Sequence, residues 1–155
     1  MSVTIGHTDT PDTGRLQGAE RFRLKLSGPA WKTPKWLSLN VGDALAYKWY
    51  IIFGEERDSA ATRVFTWYTH SNKKTYLQDQ DGNWLSYEAL YGVLKVTLWG
   101  SAAAWALPSN RLVVDGGNVL TYDPNQKWPW STTTRYLSVA PEGSETVTVE
   151  WEYVT

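Results

Sequence analysis

Two stretches of this chain combine carboxylates, amides and an aromatic ring within a few residues. The first is Asp79-Gln80-Asp81-Gly82-Asn83-Trp84, with Tyr87 and Tyr91 behind it. The second is Asp115-Gly116-Gly117-Asn118, followed by Tyr122-Asp123-Pro124-Asn125 and then Gln126-Lys127-Trp128-Pro129-Trp130. Asp, Asn and Gln present planar, fork-shaped acceptors and donors that match pairs of vicinal hydroxyls. A Trp or Tyr ring can cover the apolar C–H face of a pyranose. Shallow loops carrying both kinds of group suit a carbohydrate ligand. The residues expected to touch it are Asp79, Asp81, Asn83 and Trp84 in the first stretch, and Asp115, Asn118, Asp123, Asn125, Trp128 and Trp130 in the second. The same Asp-Gly and Gly-Gly-Asn sequences also suit tight turns at positive φ. Each group therefore has two readings, a hairpin corner and a ligand contact.

No catalytic set accompanies them. The two histidines, His7 and His70, lack partners at metal-site spacing, so no metal site is expected. With so few histidines, no Ser-His-Asp arrangement can be drawn. Glu55, Glu56 and Asp58 crowd one loop, whereas a glycosidase needs two carboxylates facing each other across a cleft. Gly116-Gly117 does not precede a helix and does not form a phosphate cradle. The residues thus point to a non-enzymatic protein without cofactors.

The formal net charge of −1 gives no general attraction to nucleic acid or an anionic membrane. No apolar run approaches the roughly 20 residues of a membrane span. The chain has no cysteine, and none of its six Asn begins an Asn-x-Ser/Thr sequon. The first residues, MSVTIGHTDTPDTGR, have neither a basic start nor an apolar core, unlike a secretory signal. The expectation is a cytoplasmic or non-classically secreted protein. Ten Trp and nine Tyr stand against three Phe, so many rings carry a polar handle. That balance suits a binding surface and equally the core of a small β-barrel.

The elements that position these residues come from an internal repeat. Residues 75–90 and 110–125 align without a gap, with five identities: Leu77/Leu112, Gly82/Gly117, Asn83/Asn118, Leu85/Leu120 and Tyr87/Tyr122. Two leucines eight apart around a Gly-Asn corner signal a β-hairpin. A third, looser copy runs from Leu24 to Leu37, where the corner holds five more residues. Period-2 alternation is clear at residues 21–26 and 146–154, and no long window carries a helical stripe.

The strands fall at 22–27, 35–41, 46–53 and 63–70; at 75–80, 83–88, 93–99 and 103–107; and at 111–115, 118–123, 134–140 and 147–154. The last strand of each set carries a Trp, at Trp67, Trp105 and Trp151. Twelve strands in three four-stranded repeats predict an all-β chain with a β-trefoil fold and no significant helix. A polar arm covers residues 1–20, with a short strand at Val3-Thr4-Ile5. One trefoil domain covers 21–155, in repeats of about 21–73, 74–109 and 110–155. The paired leucines are expected in the core, with Trp36, Trp84 and Val119 on the opposite face of the sheet.

On this threefold hairpin and its Trp-bearing strands, residues 21–155 resemble the β-trefoil lectin-like proteins. A small, cysteine-free, Trp-rich trefoil is most similar to the mushroom fruit-body group. That group includes ricin-B-like lectins, trefoil protease inhibitors and the light subunit of mushroom tyrosinase. The resemblance implies a non-enzymatic protein whose partner is a glycan or simple sugar. Its alternative implication is a protein partner, with the chain acting as hydrolase inhibitor or accessory subunit through residues 54–61 or 125–134. Ricin-B-type lectins carry Gln-x-Trp in every repeat, and here the triplet occurs once, at Gln126-Lys127-Trp128. Their galactose site does not transfer residue by residue. A pore-forming role, suggested only by the aromatic surplus, lacks an amphipathic helix or a strongly basic face.

Overall fold

The computed structural model describes residues 21–40, 50–88, 92–124 and 136–154. The arm at 1–20 and the loop residues Asn125, Trp128 and Trp130 lie outside these segments, as do parts of the strands expected at 46–53 and 134–140.

The chain is all-β, built from antiparallel strands, with no α-helix among the described residues. The strands are β1 Phe22–Ser27, β2 Lys35–Leu39, β3 Ile51–Gly54, β4 Phe65–Thr69, β5 Thr75–Asp79 and β6 Trp84–Glu88. They continue as β7 Gly92–Val96, β8 Trp105–Ala106, β9 Val113–Val114, β10 Val119–Thr121, β11 Ser138–Ala140 and β12 Thr148–Tyr153. Each overlaps one of the expected strands. In β1, Phe22, Leu24 and Leu26 are buried while Arg23, Lys25 and Ser27 are partly exposed, as one-sided strands require.

Several expected strands overshoot: those over 103–107, 111–115 and 118–123 shrink to Trp105–Ala106, Val113–Val114 and Val119–Thr121. The strand predicted over 93–99 ends at Val96. Trp99 instead opens a 3₁₀ turn, Trp99–Ser101, closed by the Ala102 N–H donating to the Trp99 carbonyl at 3.0 Å. The turn returns the indole to the protein, where it is buried beside Tyr76 and Trp84. Burying so large a ring outweighs three more residues of strand.

β1 pairs with β12, β2 and β4, β4 pairs with β5, and β8 pairs with β9. β5 packs beside β8, and Arg111, just before β9, bridges to Thr148 of β12. Three further pairs, β2–β3, β6–β7 and β10–β11, stand beside this set.

Corresponding residues of the three sequence copies make corresponding hydrogen bonds. The carbonyls of Leu37, Leu85 and Leu120 accept from the N–H groups of Arg63, Ala103 and Val147, at 3.0, 3.3 and 3.0 Å. The two Gly-Asn corners match as well. Asp79 N–H donates to the Asn83 carbonyl at 2.8 Å, and Val114 N–H to the Asn118 carbonyl at 2.9 Å. Gly82 and Gly117 take φ of 82° and 102°, where a side chain would be strained.

All six paired leucines, Leu24, Leu37, Leu77, Leu85, Leu112 and Leu120, lie in one core cluster. Trp36, Trp84 and Val119, on the alternate positions, are buried too. Trp84 belongs to a second cluster with Tyr68, Tyr76, Leu94 and Trp99, so its strand is covered on both faces. Strict alternation fails there because aromatic bulk covers the outer face.

Candidate functional site

The two expected ligand groups end up in different environments. Asp79, the last residue of β5, is buried and its carboxylate is saturated with donors. Its Oδ1 accepts from the Asp81 N–H at 3.0 Å and the Asn83 N–H at 2.9 Å. Its Oδ2 accepts from Arg63 Nη1 at 3.1 Å. Arg63 also donates to Asp81 Oδ2 at 2.8 Å and to the carbonyls of Ala60 and Ala61. The side chains of Arg63 and Asp79 are each 3% exposed. Gln80 bonds across to the Val64 N–H and the Thr62 carbonyl. The corner is thus locked to the chain before β4. Within this group, Asp81 and Asn83 reach solvent, while Trp84 is buried and presents no ring face.

At the second corner Asp115, Gly116, Gly117 and Asn118 are all exposed. Asp115 Oδ2 pairs with Lys74 Nζ at 2.5 Å, across from the turn that joins β4 to β5. The hydrogen bond to Asp115, assisted by its charge, holds the Lys74 ammonium pKa above its ordinary value. Between the turn and the corner lies a cleft of about 380 Å³, lined by Lys73, Lys74, Thr75, Ala106, Asp115 and neighbouring backbone. Asp123 is half-buried at the end of the same hairpin. The structure therefore groups Asp81 with Asn83, and Asp115 with Asn118, at separate corners.

A further site arises where the sequence reading expected only framework. Leading into and along β12 the inward positions are Val147, Val149, Trp151 and Tyr153. Val147 and Val149 are buried, whereas Trp151 and Tyr153 are 43% and 47% exposed. The inner face of the strand runs past the core into an open mouth. There a cleft of about 340 Å³ is lined by Phe22, Trp67, Thr75, Leu107, Trp151 and Tyr153. The rings are held against one another. Phe22 stacks on Trp67 at 5.5 Å between centroids, and Trp151 meets Trp67 edge-on at 6.3 Å and Phe22 at 6.1 Å. The side chains of Trp67, Trp151 and Tyr153 make no hydrogen bond among the described residues, which leaves two indole N–H groups and one phenol at the rim.

Trp67 and Trp151 are recognisable in the sequence as the aromatic residues of β4 and β12. The signal for exposure was the length of the inward-facing row: four residues from Val147 to Tyr153, of which the core covers two. Trp105, their counterpart in β8, is buried, its Nε1 donating to the Leu85 carbonyl at 3.1 Å.

The two clefts share Thr75 and Ala106 as a common wall. The Thr75 hydroxyl donates to the Trp105 carbonyl and fixes that wall to β8. Among the described residues, no group of three or more metal-ligating side chains converges. None of their helices is long and apolar enough to cross a membrane. No family model matches the chain, and no curated protein or solved structure gives a match.

Proposed function

We propose that this chain is a non-enzymatic, lectin-like carbohydrate-binding protein on a β-trefoil scaffold. Support for the scaffold is the chain of neighbours β1, β4, β5, β8, β9 and β12, which returns to β1. The three equivalent leucine carbonyl bonds, one from each sequence copy, agree with threefold symmetry. In a trefoil these six strands close a barrel, and the pairs β2–β3, β6–β7 and β10–β11 cap it. Closure leaves few free sheet edges.

The observation that carries the function is the aromatic cleft at the barrel mouth. Its rings are pre-positioned by mutual packing, so a ligand gains contact without first ordering them. An apolar ring face bordered by N–H and O–H donors is complementary to a pyranose, which has an apolar C–H face and a rim of hydroxyls. The volume lies at the lower end of the roughly 300–1,000 Å³ of small-molecule sites. The exposed Asp115 and Asn118 corner adds acceptors beside the adjoining cleft.

Glycan-array screening followed by Trp fluorescence titration tests the proposal. The expected result is binding with a change in Trp emission, lost in Trp151→Ala while the fold is retained. An empty array together with unchanged emission across simple sugars would overturn it.

A second reading rests on Leu98, which is 70% exposed ahead of the 3₁₀ turn. A large apolar side chain held out on a short turn suits insertion into a protein partner, as an inhibitor or accessory subunit would do. Inhibition of a protease panel, lost in Leu98→Glu, would support this reading. Its absence, with no copurifying enzyme, would count against it.

A further inference from the structure

We infer that the two adjoining clefts form one groove for an acidic oligosaccharide, one sugar stacking in the aromatic mouth and a neighbouring carboxylate- or sulfate-bearing sugar lying against Lys73 and Lys74. The inference rests on the carbohydrate-binding reading and adds the ligand's length and charge.

Three observations support it. The clefts are contiguous across Thr75 and Ala106, two small side chains that make a low divide. The mouth of about 340 Å³ adjoins a second cleft of about 380 Å³, so a glycan seated in the mouth has a place to continue.

The second cleft carries charge that the mouth lacks. The formally charged side chains lining it are Lys73, Lys74 and Asp115, two positive and one negative. Lys74 is neutralised locally by Asp115. The Lys73 ammonium has no ion pair among the described residues, so the cleft keeps one positive charge in a chain whose formal net charge is −1.

Lys73 also sits at φ 68°, in the left-handed region where glycine or asparagine is at less cost. Its N–H closes the turn onto the His70 carbonyl at 2.8 Å, and the turn itself does not require a lysine side chain. A strained backbone position that carries a cation into a cleft is consistent with use of that cation.

An array holding neutral glycans and glycans with uronate, sialate or sulfate groups tests this, followed by titration at low and high salt. Acidic oligosaccharides should bind about tenfold more tightly than neutral ones of equal length, the scale of one hydrogen bond to a charged group. The preference should shrink at high salt.

Lys73→Gly and Lys74→Gln should abolish the preference yet leave neutral binding intact. Lys73→Gly should not lower the melting temperature, because glycine accepts that φ freely. Glycan binding with no acidic preference, or an acidic preference unmoved by either lysine variant, would overturn the inference and leave the broader reading standing. No glycan binding at all would overturn both.

Discussion

Two of the aromatic clusters among the described residues contrast, one sealed and one open. In the sealed cluster Tyr68, Tyr76, Trp84 and Trp99 pack edge-on and tilted, with centroids 4.6–6.5 Å apart. In the open cluster Phe22, Trp67, Trp151 and Tyr153 pack at similar spacings, 5.5–6.4 Å. Ring geometry does not separate them. The sealed rings are covered by a turn, Trp99–Ser101, that folds back over the sheet. In the open cluster Trp151 and Tyr153, toward the end of β12, are 43% and 47% exposed above the buried Phe22. Where rings are alike, coverage by neighbouring chain decides whether they serve stability or contact.

The contrast can be broken most directly by deleting rings. Trp99→Ala should destabilise by roughly 3–5 kcal/mol, as large buried aromatics do when truncated, measured by denaturant unfolding. A loss below about 1 kcal/mol would mean that the cluster is not sealed. In Leu120→Ala a fully buried core leucine is removed, and a loss of about 2–5 kcal/mol is expected. A wild-type melting temperature there would undo the leucine-based repeat assignment. Tyr153→Ala, at the open cluster, should cost less than about 1 kcal/mol while weakening glycan binding. A stability loss as large as that of Trp99→Ala would place Tyr153 in the framework instead.

The two hairpin corners carry the same lesson in polar form. Asp79 and Asp115 both belong to an Asp-and-Asn-bearing corner, and nothing in their local sequence ranks one above the other. Asp79 is buried because Arg63, sixteen residues earlier, arrives beneath it. Asp115 is exposed because its partner, Lys74, is itself on the surface. Asp79→Ala would leave the Arg63 guanidinium paired with Asp81 alone and deprive the Asp81 and Asn83 N–H groups of their acceptor, so denaturant unfolding should show a loss of about 1–3 kcal/mol.

The strand pattern was legible because alternation and the leucine repeat are local: each described strand overlaps an expected one, and all six repeat leucines are buried. The candidate site was less legible. Trp84 follows a Gly-Asn corner, which reads as exposed, but the distant turn at Trp99 covers it. Trp151 lies in a regular strand, which reads as framework, but its inner face outruns the core. Both outcomes depend on contacts between residues far apart in sequence, which no short window contains.

The pairing of β1 with β12 has a consequence for how the molecule is made. Phe22 lies opposite Tyr153, and Val154 N–H donates to the Arg21 carbonyl at 2.8 Å. Contacts of such sequence separation form slowly, because a long loop must close first. During synthesis β1 therefore leaves the ribosome well before β12 exists, and until then Leu24 and Leu26 have only β2 and β4 beside them. β12 both completes the sheet and brings Trp151 and Tyr153 to the mouth. Ligand competence should thus appear as the last event of folding, and Trp151 fluorescence during refolding would time it.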